Sequence, residues 1–196
     1  MNRMMLDVET MSTHESRALI LSVGVVLFDL KLEGPVIHYE DHWVLNSNEQ
    51  LVRGRQVSRE TQKWWMQQSE AAKEPWVVMQ QNRVTHVLEQ IQQRYQMRWS
   101  RPPDAVPPTP CQEVWANGTL FDIGNMNELY ADFGMSPPWK YNEVRDMRTL
   151  VRVNPQHQSP TSEMEREMSQ RILHHPLADC RNQIDRLWMH WDFVNS

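Results

Sequence analysis

Residues 4–10 read Met4-Met-Leu-Asp7-Val-Glu9-Thr10, an apolar run that closes on two acids one residue apart. The run has the length and composition of a strand, and in a strand residues i and i+2 point to the same face. Asp7 and Glu9 therefore point one way. Carboxylates held that close raise each other's proton affinity, so an apolar strand with this ending either emerges into solvent or holds a cation. The Asp-x-Glu spacing alone does not choose between the two.

Working outward, the β-branched run at residues 18–29 reads as a second strand, with polar residues 11–17 as the connecting turn. A third strand is expected over 36–45, where His38, Glu40 and His42 alternate in part with Ile37, Tyr39 and Trp43. Three successive strands suggest an antiparallel meander. The period then becomes helical: Ser58 opens a helix through residues 61–68, and a longer one is expected over 79–99, with Val84, Val87, Leu88, Ile91 and Tyr95 on one face. Five prolines within 101–110 exclude a helix or central strand there, so the segment reads as a surface loop. Beyond it come a brief strand at 113–116, an Asn117-Gly118 turn and a helix at 121–133. A short strand at 142–144, a helix at 146–151, a loop at 154–162 and a last helix at 176–193 complete the order, with Pro176 suited to the first helical position. The expectation is one α/β domain over residues 1–196, with a mixed sheet.

Net charge is −5, which argues against a protein that grips long duplexes through a broad basic surface. It does not argue against a nuclease, because a carboxylate cluster that holds divalent cations acquires its positive field from the metals. Cys111 and Cys180 stand far apart without a CxxC spacing, so neither a disulfide framework nor a zinc site is indicated. The longest apolar run, 19–28, is broken by Ser22 and Gly24 and is too short to span a bilayer. Asp7 and Glu9 interrupt any signal-peptide pattern at the N-terminus, and a cytoplasmic protein with no membrane partner is expected. Nine Trp and thirteen Met are unusually many, and both types fill cores as readily as they serve interfaces or stack on bases.

Two more acids and a histidine have suitable settings. Asp122 follows Phe121 at a helix start, where a carboxylate is also favoured simply by the helix dipole. Asp179 lies one turn into the last helix, and His174 falls in the loop just ahead of it, free to approach an open site as a mobile base or to stand as a surface histidine.

In this order the residues resemble the DEDD exonucleases. Asp7-Val-Glu9-Thr10 is similar to the first motif of that superfamily, Asn117-Gly-Thr-Leu-Phe121-Asp122 to the second, and His174-His-Pro-Leu-Ala-Asp179 to the third in its DEDDh form. Thr61-Gln-Lys-Trp64-Trp65 and Asp146-Met-Arg148-Thr149 resemble a narrower branch, the exoribonuclease-like and phage exonuclease A-type proteins. The third motif departs in having Pro176 where the family commonly has alanine, and the family spacing selects His174 over His175. The resemblance implies a ribonuclease-H-like fold, with three antiparallel strands followed by shorter parallel strands and flanking helices. It implies a two-metal-ion 3′-to-5′ exonuclease acting on a free 3′ end of RNA or DNA and releasing nucleoside 5′-monophosphates. Asp7, Glu9, Asp122 and Asp179 would hold two Mg²⁺ or Mn²⁺ ions, and His174 would accept the proton of the attacking water.

The same resemblance implies a bacterial or phage-infected host cell and is compatible with a homodimer. Thr10, Met11, Asn117 and Gly118 are expected against the terminal nucleotide. Trp64 and Trp65 are consecutive, diverge by about 100° on a helix, and cannot both face one core stripe, so Trp65 is carried as a stacking residue beside the alternative of core packing. Asp146 and Arg148 are expected to cap and brace a helix. A catalytically inactive nucleic-acid-binding module on the same fold is the rival reading, and spacing does not separate RNA from DNA.

Overall fold

The computed structural model describes residues 3–14, 16–78, 80–96 and 111–192; the prolines of 101–110 and residues 97–99 of the expected 79–99 helix lie outside the described residues, and that helix begins only at Val84, because Asn82 is held in a bridge to Leu45. Strands β1 (Arg3–Thr10), β2 (Ile20–Lys31) and β3 (Gly34–Val44) form the antiparallel meander expected from three successive strands. The short β4 (Glu113–Ala116) and β5 (Val144–Asp146) add in parallel on the other side of β1, giving the order β3-β2-β1-β4-β5. The result is the mixed, helix-flanked α/β sheet expected of the ribonuclease-H-like class.

Alternation along β1 divides the core. Met4, Leu6 and Val8 face α4 (Val84–Gln96) and α5 (Asp122–Asp132), packing with Val87, Leu88, Ile91, Met126 and Tyr130. Met5 faces the opposite layer, with Met147 of α6 (Met147–Val153) and Cys180, Ile184 and Leu187 of α8 (Pro176–Met189). Asp7 and Glu9 continue that second face past the point where apolar side chains cover it. The four-residue β4 leaves their end of the sheet open.

Ser58 caps α2 (Arg59–Met66) by accepting from the Thr61 amide at 3.2 Å, as its position suggests. Three helices have no counterpart in the sequence reading: α1 (Ser47–Leu51), α3 (Glu70–Val78) and α7 (Ser162–Gln170). The strand expected at 142–144 is instead a 3-10 turn at Tyr141–Glu143, and β5 begins at Val144. The reason is local: Glu143 turns back to accept from the Lys140 amide and the Tyr95 hydroxyl, both at 2.9 Å. α8 ends at Met189, short of the expected 193. Among the described residues no helix is long and apolar enough to cross a membrane.

Candidate active site

Opposite Asp7 on β2 stands Gly24, and the absence of a side chain there lets α8 begin directly on the sheet. A Cβ on Gly24 would lie 2.7 Å from the carbonyl carbon and from the Cβ of Pro176. Pro176 supplies the first helical residue, and His175 before it is extended (φ −121°, ψ 119°), as a residue preceding proline prefers. This docking carries Asp179 to the face of Asp7 and Glu9. The Asp179 carboxylate also takes backbone hydrogen bonds from the His174–His175 segment, so the acid braces the loop that presents the histidine. His174 sits at φ +60°, a left-handed conformation uncommon outside glycine. Strain of this kind persists where surrounding contacts over-determine it.

Asp122 arrives from β4. After Ala116 the chain turns through Asn117 and Gly118, the latter at φ +115°, and α5 starts at Asp122, whose amide donates to Gly118 O at 3.2 Å. Asp146 ties this turn to the next helix: one carboxylate oxygen accepts from the Arg148 amide (2.8 Å) and the other from the Thr119 amide (3.2 Å). The capping role expected of Asp146 is therefore present. Arg148 does something different, because its side chain lies across Gly118, with a guanidinium nitrogen 1.3 Å from where a Cβ would stand. Gly118 does allow a close approach, and the group that approaches is Arg148.

The four acids and His174 all line one cleft of about 610 Å³. Ligand atoms of Glu9, His174 and Asp179 lie within 4.8 Å of one another, close enough to share an ion. Burial, reinforced by the charges of Asp122, Glu9 and Asp179, holds the Asp7 carboxyl well above the usual carboxylate range. Glu9 is pushed up to about 8 by burial and by Asp179 and Asp122. Asp122 is raised by burial, against the opposing effects of a Val8 backbone hydrogen bond and the Arg148 guanidinium. Asp179 is raised by burial, with His174 and the loop backbone opposing. Carboxyls buried together this way hold protons until a cation displaces them. A cluster of oxygen donors is the donor set that Mg²⁺ or Mn²⁺ takes.

The surroundings include residues the sequence did not single out. Gln183 donates to Asp7 Oδ1 at 2.7 Å. It sits four residues beyond Asp179, one helical turn along the same face, and that spacing was the available signal. Asn117 lines the cleft, and its Oδ1 is buried without a hydrogen-bond partner among the described residues. His175 turns away from the cleft to lie 4.9 Å from the His42 ring, where burial and His175 together lower His42 to about 4.

Thr10, Met11 and Trp65 differ from the expectation. Thr10 Oγ1 donates to Ser12 O, while Thr10 O accepts from the Trp65 indole at 2.8 Å. Met11 donates its amide to Leu19 O and accepts from the Ser58 amide. These backbone groups are spent on fastening the end of β1 to β2 and α2. Trp65 is only 2% exposed and serves as that fastener, so its ring is not an open stacking platform. Trp64 is the exposed neighbour, at 39%, and its ring meets the His174 imidazole edge-on at 4.7 Å. Met11 and Trp65 instead line a second cleft of about 590 Å³ bordered by Arg59 and Lys63.

The sequence profile of the Rv2179c-like 3′-5′ exoribonuclease domain matches residues 2–191. The chain belongs to this family. The family is described by a 3′-5′ exoribonuclease domain, in agreement with the order of motifs read from the sequence. No curated protein matches. Among solved structures, cell-death related nuclease 4 (CRN-4) superposes with a TM-score of 0.57 at 13% identity, over 95% of this chain and 62% of its own. A moderately thermophilic exonuclease I from Methylocaldum szegediense superposes with a TM-score of 0.53 at 15% identity, over 95% of this chain and 40% of its own. At these identities the likeness is one of fold, and the chain spans less than two thirds of either structure.

Proposed function

We propose that the chain is a divalent-metal-dependent 3′-to-5′ exoribonuclease that removes nucleoside 5′-monophosphates one at a time from a single-stranded or overhanging 3′ end. The observation that carries this reading is the meeting of Asp7, Glu9, Asp122, Asp179 and His174 in one cleft of a family member. RNA is preferred over DNA as substrate because the family is described by its exoribonuclease domain.

The four carboxylates would hold Mg²⁺ or Mn²⁺, which when bound supply Lewis-acid stabilisation of the attacking and leaving oxygens. The chain's own groups do the rest. His174 accepts the proton of the attacking water; imidazole is a poorer ligand than carboxylate for these hard ions, which favours the base role over ligation. Trp64 limits the directions in which the His174 ring can swing, because their rings touch edge to face. Gln183 orients Asp7 through its hydrogen bond. Asn117 offers its unsatisfied carbonyl oxygen to a hydroxyl of the terminal ribose.

Side-by-side digestion of matched single-stranded RNA and DNA in Mn²⁺ tests the substrate. RNA should be shortened faster, and a blocked 3′ end should protect it. Equal rates on both polymers would remove the RNA assignment, and cleavage of the blocked strand would remove the exonuclease one.

A further inference from the structure

Two arginines stand at the carboxylate cleft, and the chemistry above uses neither. Arg148 reaches it from the first turn of α6, its guanidinium lying where a side chain at Gly118 would be. Arg186 reaches it from α8, on the stripe that runs Asp179, Gln183, Arg186 at helical spacing. Both residues are exposed, and among the described residues neither guanidinium enters a hydrogen bond or ion pair. Surface arginines are ordinarily solvated, but Arg148 is placed deliberately. Asp146 fixes the backbone that carries it, and the glycine at φ +115° leaves its path clear. Seven residues separate Asp179 from Arg186, about 10 Å of helix, so the stripe passes from the acids to a cationic end.

The reaction limits what these cations can meet. A 3′-terminal nucleoside has no phosphate beyond the scissile one, so every other phosphate of the substrate lies on its 5′ side. Resting on the exonuclease reading, we infer that Arg148 and Arg186 form a clamp for the backbone phosphates immediately 5′ of the scissile bond, making the enzyme selective for a strand of three or more nucleotides over a dinucleotide. Guanidinium suits the task because its planar fork grips two phosphate oxygens at once. An overall acidic protein would thereby retain a single strand without a broad basic surface.

The test compares kcat/KM for an oligoribonucleotide tetramer and a dimer in Mn²⁺, for the wild type, Arg148→Ala, Arg148→Lys and Arg186→Ala. The tetramer-to-dimer ratio should fall about 10- to 100-fold with each alanine, the scale of a lost charge-assisted contact, mainly through KM. Lysine at position 148 should restore part of it. The slope of log binding constant against log salt for the tetramer in Ca²⁺ should decrease by about 0.7 per arginine removed. An unchanged ratio in folded alanine variants overturns the clamp. A proportional loss on dimer and tetramer also overturns it, by placing the arginines on the scissile phosphate. A wild type that hydrolyses neither oligomer overturns instead the exonuclease reading on which the clamp rests.

Discussion

Replacing Glu9 by glutamine should stabilise the metal-free protein at alkaline pH, and the size of the effect follows from the burial of Glu9 beside Asp179 and Asp122. Burial and the charges of Asp179 and Asp122 push Glu9 from the 4.5 of a free side chain to about 8. A folded-state value above the unfolded one means that the folded protein holds the proton more tightly. The corresponding stability is fully present below about pH 4.5 and is lost as pH rises through about 8. Between about pH 5.5 and pH 8 the linkage amounts to at most about 3 kcal/mol. Glu9 is half-buried, so solvent screening brings this to about 1–2 kcal/mol. For a domain of this size that corresponds to about 3–8 °C in Tm. Thermal unfolding in EDTA should therefore show Glu9→Gln melting higher than wild type by this amount at alkaline pH and nearly level with it at acidic pH. Saturating Mn²⁺ should reverse the order, because the cation stabilises the wild-type carboxylates and gains little from the variant. If Glu9→Gln melted lower than wild type in EDTA across the whole range, the carboxylates would not be in mutual repulsion, and the reasoning that makes the cleft a cation site would fail.

Other outcomes follow from the same geometry. Gly24→Ala should force the start of α8 off β2 and cost about 1–3 kcal/mol, with Mn²⁺ affinity by calorimetry falling along with Tm; a normal affinity would show that α8 docking does not set the acid cluster. His174→Asn should lower kcat by about 10²- to 10⁴-fold while the Mn²⁺-induced thermal shift is retained, whereas loss of that shift would make His174 a ligand rather than a base. Mn²⁺ affinity should rise with pH up to about 8, with proton release visible as a dependence of the calorimetric heat on the buffer's ionisation enthalpy. An affinity independent of pH would contradict the raised proton affinities of the acids.

Those features of the fold that depend on local pattern were readable from the sequence. The apolar run of β1 closing on Asp7 and Glu9, the Ser58 cap of α2, the turn at Asn117-Gly118 and Pro176 at the head of α8 each announce an element through residues next to it. α7 is hard to read because its apolar face is only Met164 and Met168, one turn apart and partly buried; its other signal is the Thr161 cap followed by Glu163 and Glu165. β5 begins two residues later than its sequence suggests because three residues carry too little pattern, and its register is set by pairing with Val114, Trp115 and Ala116.

The candidate site divides along the same line. The five side chains could be named because each lies at a recognisable element boundary. Gly24 under Pro176, Arg148 across Gly118 and the engagement of Thr10 by Trp65 depend on segments distant in sequence, and no spacing along the chain reveals them. Burying Trp65 exposes Trp64, as two consecutive helical residues must divide. Which of the pair turned inward was decided by the Thr10 carbonyl, a partner more than fifty residues away.

The most direct test of the cation-holding acid cluster is a time course of 5′-labelled single-stranded RNA with Mn²⁺, for the wild type and for Asp7→Asn. The expected result is a ladder shortening one nucleotide at a time from the 3′ end for the wild type, and an intact strand for the variant under conditions where circular dichroism shows it folded. A folded Asp7→Asn protein that degraded the RNA at the wild-type rate would contradict the account.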